Sequence, residues 1–144
     1  MEGKRRGGGI RARKTLERQV RGKASYARGL RAEALAVLLL RLKGYRILAR
    51  RLKTRAGEID ILARRGKMLA VVEVKARTGE GAASEALRPH QRARLWRAGE
   101  QLFALRPDLA GCDLRFDLVL VTPSSWPFGF PGGWPRHLPD AWRD

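Results

Sequence analysis

Residues 57–77, GEIDILARRGKMLAVVEVKAR, constrain the fold more than any other stretch of the chain. Two runs of apolar and small residues flank Gly66-Lys67, a dipeptide suited to a two-residue hairpin loop. Alternation along the second run sets Val71, Glu73 and Lys75 on one face and Val72, Val74 and Ala76 on the other. In the first run Glu58, Asp60 and Leu62 share a face, opposite Ile59, Ile61 and Ala63. A Gly66-Lys67 turn places Asp60 across from Glu73 and Glu58 across from Lys75, with opposed Cβ atoms roughly 5 Å apart. A turn at Arg65-Gly66 shifts the pairing by one step on each strand and keeps all four groups on that face. Carboxylates and a lysine in a buried sheet are costly unless something uses them. Two facing carboxylates repel unless one is protonated or a cation lies between them. A hard divalent ion takes oxygen ligands of this kind, and the Lys75 ammonium, two residues from Glu73, can hold a water or a phosphate oxygen beside it.

Elements on either side of this hairpin follow from local signals. Residues 25–43 read as a helix, with Ser25 as N-cap, Gly44 as terminator, and Leu30, Ala34, Val37, Leu38 and Leu42 as its apolar stripe. Within it, Glu33 by itself reads as an exposed glutamate paired with a nearby arginine. Residues 45–53 read as a strand and 54–57 as a turn. Residues 77–83 form a loop carrying Gly79 and Gly81. A second helix starts near Pro89, which suits a first helical position, and runs to about Leu105. Its buried stripe is Leu95, Ala98, Leu102 and Leu105, and its basic side is Arg88, Arg92, Arg94 and Arg97. Residues 114–122 read as a strand in which Asp117 alternates with apolar neighbours, in a structural role. From Pro123 onward, prolines recur at 123, 127, 131, 135 and 139 among Trp126, Phe128, Phe130, Trp134 and Trp142. That spacing excludes a helix or a central strand. The expectation is a segment that wraps the sheet and buries its rings, with residues 136–142 adding an edge strand.

Charge decides the class of partner. Thirty-one Lys and Arg oppose 14 Asp and Glu, a net charge of +17 over 144 residues. Such an excess points to a polyanion, because basic surfaces bind phosphate backbones through counterion release. Residues 1–23 carry nine of these cations against Glu2 and Glu17 and read as a basic arm, disordered or partly helical. Residues 24–144 then form a single domain. A lone cysteine, Cys112, excludes an internal disulfide framework and a cysteine zinc cluster. The longest apolar run, residues 34–40, is too short to span a bilayer, and no secretory signal pattern is present. These features predict a cytoplasmic chain without a membrane partner.

Asp60 followed by Glu73-x-Lys75 on the next strand resembles the core of the PD-(D/E)xK nuclease superfamily, the restriction-endonuclease-like fold. Glu33 in an upstream helix, Gly57-Glu58-Ile59-Asp60, Val72-Glu73-Val74-Lys75 and Arg115-Phe116-Asp117, in that order, narrow the resemblance. Together they are similar to the YraN-like family, small uncharacterised bacterial proteins placed in that superfamily. The likeness runs from about Ala27 to about Trp142. One departure is His90, where such proteins are expected to carry Lys.

The resemblance implies an α/β fold, a restriction-endonuclease-like mixed central sheet of four or five strands flanked by helices in the order α-β-β-β-α-β. It implies a metal-dependent endonuclease-like protein that hydrolyses phosphodiester bonds in DNA. Asp60, Glu73, Lys75 and Glu33 would be its catalytic group. Mg²⁺ or Mn²⁺ would sit on Asp60, Glu73 and the Val74 carbonyl, with Glu58 and Gln91 as accessory residues. Arg77, Arg88, Arg92 and Arg94 would contact the nucleic acid, and a homodimer would set two sites on a duplex. The alternative is a non-catalytic nucleic-acid-binding module, or a scaffold of a DNA-processing complex, on the same fold.

Overall fold

The computed structural model describes residues 7–76, 87–122 and 134–143. Its elements in chain order are α1 (Gly7–Leu42), β1 (Arg46–Thr54), β2 (Gly57–Arg65), β3 (Met68–Ala76), α2 (Pro89–Leu105), a 3₁₀ turn (Pro107–Leu109), β4 (Asp113–Val121) and β5 (Arg136–Leu138). The five strands form one mixed sheet in the order β1-β2-β3-β4-β5. β1, β2 and β3 run antiparallel, β3 and β4 are parallel, and β5 is antiparallel to β4. A parallel neighbour requires a crossover, which here contains α2. The result is the expected mixed α/β architecture, consistent with a restriction-endonuclease-like fold.

The register of the central hairpin is the one set by the Gly66-Lys67 turn. Arg65 pairs with Met68, and the pairing continues to Ile61 opposite Val72. Gly66 has φ 62°, where a side chain would be strained.

Two apolar layers cover the two faces. Ala32, Ala36, Val37 and Leu40 of α1 pack with Ile61, Ala63, Ala70, Val72 and Val119. Leu95, Ala98 and Leu102 of α2 pack on the opposite face with Leu62, Leu69, Val71, Phe116 and Leu118. Gly99 brings α2 close to β4: a Cβ there would lie 2.8 Å from the Phe116 ring. Pro89 opens α2, and the Gln91 side-chain oxygen accepts the Arg88 amide at 3.3 Å.

Several boundaries differ from the sequence reading. α1 begins at Gly7, so Ser25 lies inside the helix rather than capping it, and residues 7–23 of the basic arm are helical. The buried stripe of α1 is Ala32, Ala36, Val37 and Leu40. Ala34, Leu38 and Leu42, expected in that stripe, are exposed, as is Leu105 of α2. The same turns of α1 meet the sheet through a different side, because Ala and Leu residues lie on several sides of this helix and periodicity by itself does not choose among them. β5 is the expected edge strand, and Trp142 is buried against Phe116, ring centroids 5.4 Å apart, whereas Trp134, expected to bury its ring, is exposed. Trp126, Phe128 and Phe130, and the glycine loop at 77–83, fall outside the described residues.

Candidate metal centre

Asp60 sits where the regular hairpin ends. Beyond Ile61 opposite Val72 the β2–β3 ladder stops, and the Asp60 carboxylate accepts the Val74 backbone N–H at 2.9 Å. Strand alternation also breaks here. Ile61 packs in the α1 layer, yet Ile59, two residues away, packs in the α2 layer. On the other neighbour, β1, Arg51 lies across from Asp60, between the pairs Arg50–Ile61 and Leu52–Ile59. Arg51 has φ 51°, a left-handed conformation that non-glycine residues adopt at some cost. The kink in β1 and the break in β2 therefore coincide at Asp60.

Glu73 is 6% exposed and faces this kink. Its carboxyl and that of Asp60 are within hydrogen-bonding reach of each other. Lys75 Nζ lies 3.3 Å from Glu73 Oε1. Glu73 Oε2 is buried and has no hydrogen-bond donor among the described residues. Burial, reinforced by the Asp60 charge, pushes the Glu73 carboxyl up to about 7, although Lys75 pulls the other way. Burial also raises Asp60, against the opposing effect of the Val74 amide. Two carboxyls this close and this dry resist carrying two charges together.

Arg94 of α2 also bears on the pair. It is close enough to Glu73 to favour its charged form, and its guanidinium donates to the Glu58 carbonyl at 3.2 Å. To do so it crosses Gly57, where a Cβ would lie 2.3 Å from Nη1 and where φ is 142°.

The sequence-predicted residues thus divide. Asp60, Glu73 and Lys75 come together, and Arg94 joins them as more than a surface cation. Val74 is tied to Asp60 through its amide. Glu33 does not turn its oxygens to this pair: Oε1 accepts from Arg50 at 3.0 Å and Oε2 from Arg51 at 2.9 Å. It reaches Asp60 only through its charge. Arg51 also donates to the Tyr26 hydroxyl at 3.1 Å. Glu58 is exposed, and Lys75 pairs with Glu73 in place of the expected Glu58, because the ladder ends before that register position. Gln91 spends its side chain on the start of α2 and does not reach the site. Arg92 donates to the Leu87 carbonyl at 3.2 Å, Arg88 is exposed, and Arg77 lies outside the described residues.

The arginine pairing read for Glu33 is present, but the residue is buried rather than exposed, and sequence reasoning missed that its partners are Arg50 and Arg51 of β1, with Tyr26 joining Arg51. The signal was available. The turn at residues 54–57 fixes the β1 register and so sets Arg51 across from Asp60.

Among the described residues no three His, Cys, Asp or Glu side chains gather as a metal cluster. Two carboxyls, those of Asp60 and Glu73, lie within reach of each other, and the buried Glu73 Oε2 has no donor among those residues. That set fits Mg²⁺, which keeps several waters and often takes only one or two protein carboxylates.

Asp117 is a different kind of buried acid, as the sequence reading expected. It is wholly buried and accepts two bonds from Arg115 at 2.7 Å, one from His137 at 2.8 Å and one from the Asp140 amide at 3.0 Å. Burial alone would raise its carboxyl, but His137, Arg115 and the amide outweigh it and hold the group below its ordinary value.

Comparison with known proteins places this arrangement in a family. Residues 32–121 match the model of UPF0102, described as an uncharacterised protein family. A UPF0102 protein of Parvibaculum lavamentivorans is 63% identical over 123 residues, covering 85% of this chain and 86% of the relative. One from Paramagnetospirillum magneticum is 51% identical over 124 residues, covering 83% and 90%. One from Caulobacter vibrioides is 52% identical over 125 residues, covering 87% and 94%. The matched segment starts at Ala32, the first buried residue of α1 among those described, and ends with β4, so it holds the whole candidate centre: the chain belongs to the UPF0102 family.

Proposed function

We propose that this protein is a metal-dependent phosphodiesterase of the PD-(D/E)xK nuclease type, acting on DNA. The observation that carries the reading is the buried Glu73 oxygen, without a donor among the described residues, with Asp60 facing it and Lys75 alongside. Asp60 and Glu73 would hold Mg²⁺ or Mn²⁺, with the Val74 carbonyl as a third protein ligand. When bound, such an ion lowers the pKa of a coordinated water and offsets charge on the phosphoryl group. The chain's own residues supply the rest. Asp60 is held in place by the Val74 amide. Lys75 donates hydrogen bonds from Nζ to a non-bridging phosphate oxygen, where charge grows in the transition state. Arg94 adds a second cation at the same rim.

The test is incubation with supercoiled plasmid, single-stranded DNA and branched DNA in Mg²⁺, Mn²⁺ or EDTA. We expect cuts that need the metal and that vanish in Asp60→Asn and in Lys75→Ala. The asparagine can still accept the Val74 amide, so its fold should persist. Unchanged cutting by Asp60→Asn would overturn the assignment.

A second reading, a nucleic-acid-binding module without catalysis, is favoured by one observation. Glu33 is committed to two arginines, which leaves two acids for the metal among the described residues. Salt-sensitive retention of DNA without any cut would select it.

A further inference from the structure

From residue 9 to residue 24, α1 is exposed at every position, and its first buried residue among those described is Ala32. Residues 7–31 therefore form a helical rod, about 37 Å long at 1.5 Å per residue, outside the segment shared with the family model. They hold eight Lys and Arg and a single acid, Glu17, which is 3.3 Å from Arg13. Arg11, Lys14, Arg18 and Arg21 recur at i, i+3, i+7 and i+10, within an arc of about 80° at 100° per residue. Leu16 and Val20 lie on the opposite side and are the large aliphatics there. The two aliphatics come without Trp or Phe, a poor match to the apolar face of a membrane-surface helix. Like charges at helical spacing repel one another on a bare helix. Against a row of phosphates the same spacing becomes attractive.

The rod leaves the body beside the candidate centre. Tyr26 and Glu33, on α1, both bond Arg51, which lies across from Asp60. We propose that the Arg11–Arg21 face is a nucleic-acid interface of its own, which grips the phosphate backbone without reading bases and leads it toward Asp60 and Glu73. This shares with the proposed function only the class of partner, since gripping needs no hydrolysis.

The experiment is fluorescence anisotropy of the full chain with a short labelled DNA duplex in EDTA, titrated between about 50 and 200 mM salt. Replacing Arg11, Lys14, Arg18 and Arg21 with Gln should weaken binding at least tenfold. It should also reduce the slope of log K against log salt by about 3.6, at about 0.9 for each phosphate that is no longer neutralised. The Lys version of the three arginines should keep both. Leu16→Ser with Val20→Ser should bind as the wild type does. Circular dichroism of each variant confirms that the body is folded. An unchanged slope in the Gln variant overturns the proposal. So does equal loss in the Leu16/Val20 variant, or tighter capture by anionic phosphatidylserine vesicles than by DNA at the same salt. Asp60→Asn serves as the reference: it should lose cutting and keep the salt slope, so the two readings fail separately.

Discussion

Two buried acids of the same sheet, Glu73 and Asp117, meet opposite fates. Asp117 has four donors from three residues, two of them on the C-terminal segment, and its charge is held low in pKa. Glu73 has one lysine, a neighbouring acid and an oxygen with no donor among the described residues. A carboxylate whose lone pairs are all answered by the fold is a fastener: it ties β5 and the residues after it to β4. A carboxylate left short of donors in a dry site is destabilising. That deficit is what a cation would fill.

The contrast can be broken most severely at Asp117. Asp117→Ala leaves the Arg115 guanidinium, His137 and the Asp140 amide without their shared acceptor. We expect a loss of about 3–5 kcal/mol in urea denaturation, as for other broken buried pairs. A loss below about 1 kcal/mol would remove the fastener role.

Glu73 should behave in the reverse sense. Its carboxyl is raised to about 7 in the fold, from an ordinary value of 4.5. The native state therefore holds more protons than the unfolded state between those values, and its stability falls as pH rises through that window. Glu73→Gln should remove this penalty, leaving the variant more stable than the wild type at pH 8 by about 3 kcal/mol and nearly equal to it at pH 4. Divalent metal should raise the wild-type melting temperature at pH 8 and leave that of Glu73→Gln unchanged. A wild type that matches the variant at pH 8 would make Glu73 a second fastener.

The smallest effect belongs to Glu33, which sharpens the comparison by standing between the two types. It is saturated like Asp117, yet its partners Arg50 and Arg51 are partly exposed, with side-chain exposures of 45% and 34%. Glu33→Gln should cost about 1–2 kcal/mol, discounted for that exposure. If the clamp aims Asp60 by holding the Arg51 kink, the same substitution should also weaken the metal-dependent rise in melting temperature. An unaltered rise would confine Glu33 to stability.

Much of the centre was legible because strand geometry is local. Period-two alternation and a two-residue turn are enough to bring Asp60 toward Glu73 with Lys75 nearby, although the ladder keeps that register only as far as Ile61 opposite Val72, one step short of the two acids. Glu33 was legible as a residue but not in its role. Its arginines lie 17 and 18 positions away, and the conformation of Arg51 emerges only once β1 is laid on β2. The exposed face of α1 was likewise hidden. A charged, apolar-poor sequence looks like an arm whether or not it continues a packed helix.

By itself, then, the sequence determined the hairpin, the pairing of its two acids, the α/β order and the cationic character, since each depends on neighbours a few residues apart or on simple counts. Tertiary structure alone decided which acid is saturated and which is left wanting. Hydrogen-bond donors are delivered by whatever packs alongside: His137 and the Asp140 amide from the far end of the chain for Asp117, two β1 arginines for Glu33, and for Glu73, among the described residues, little beyond its own lysine.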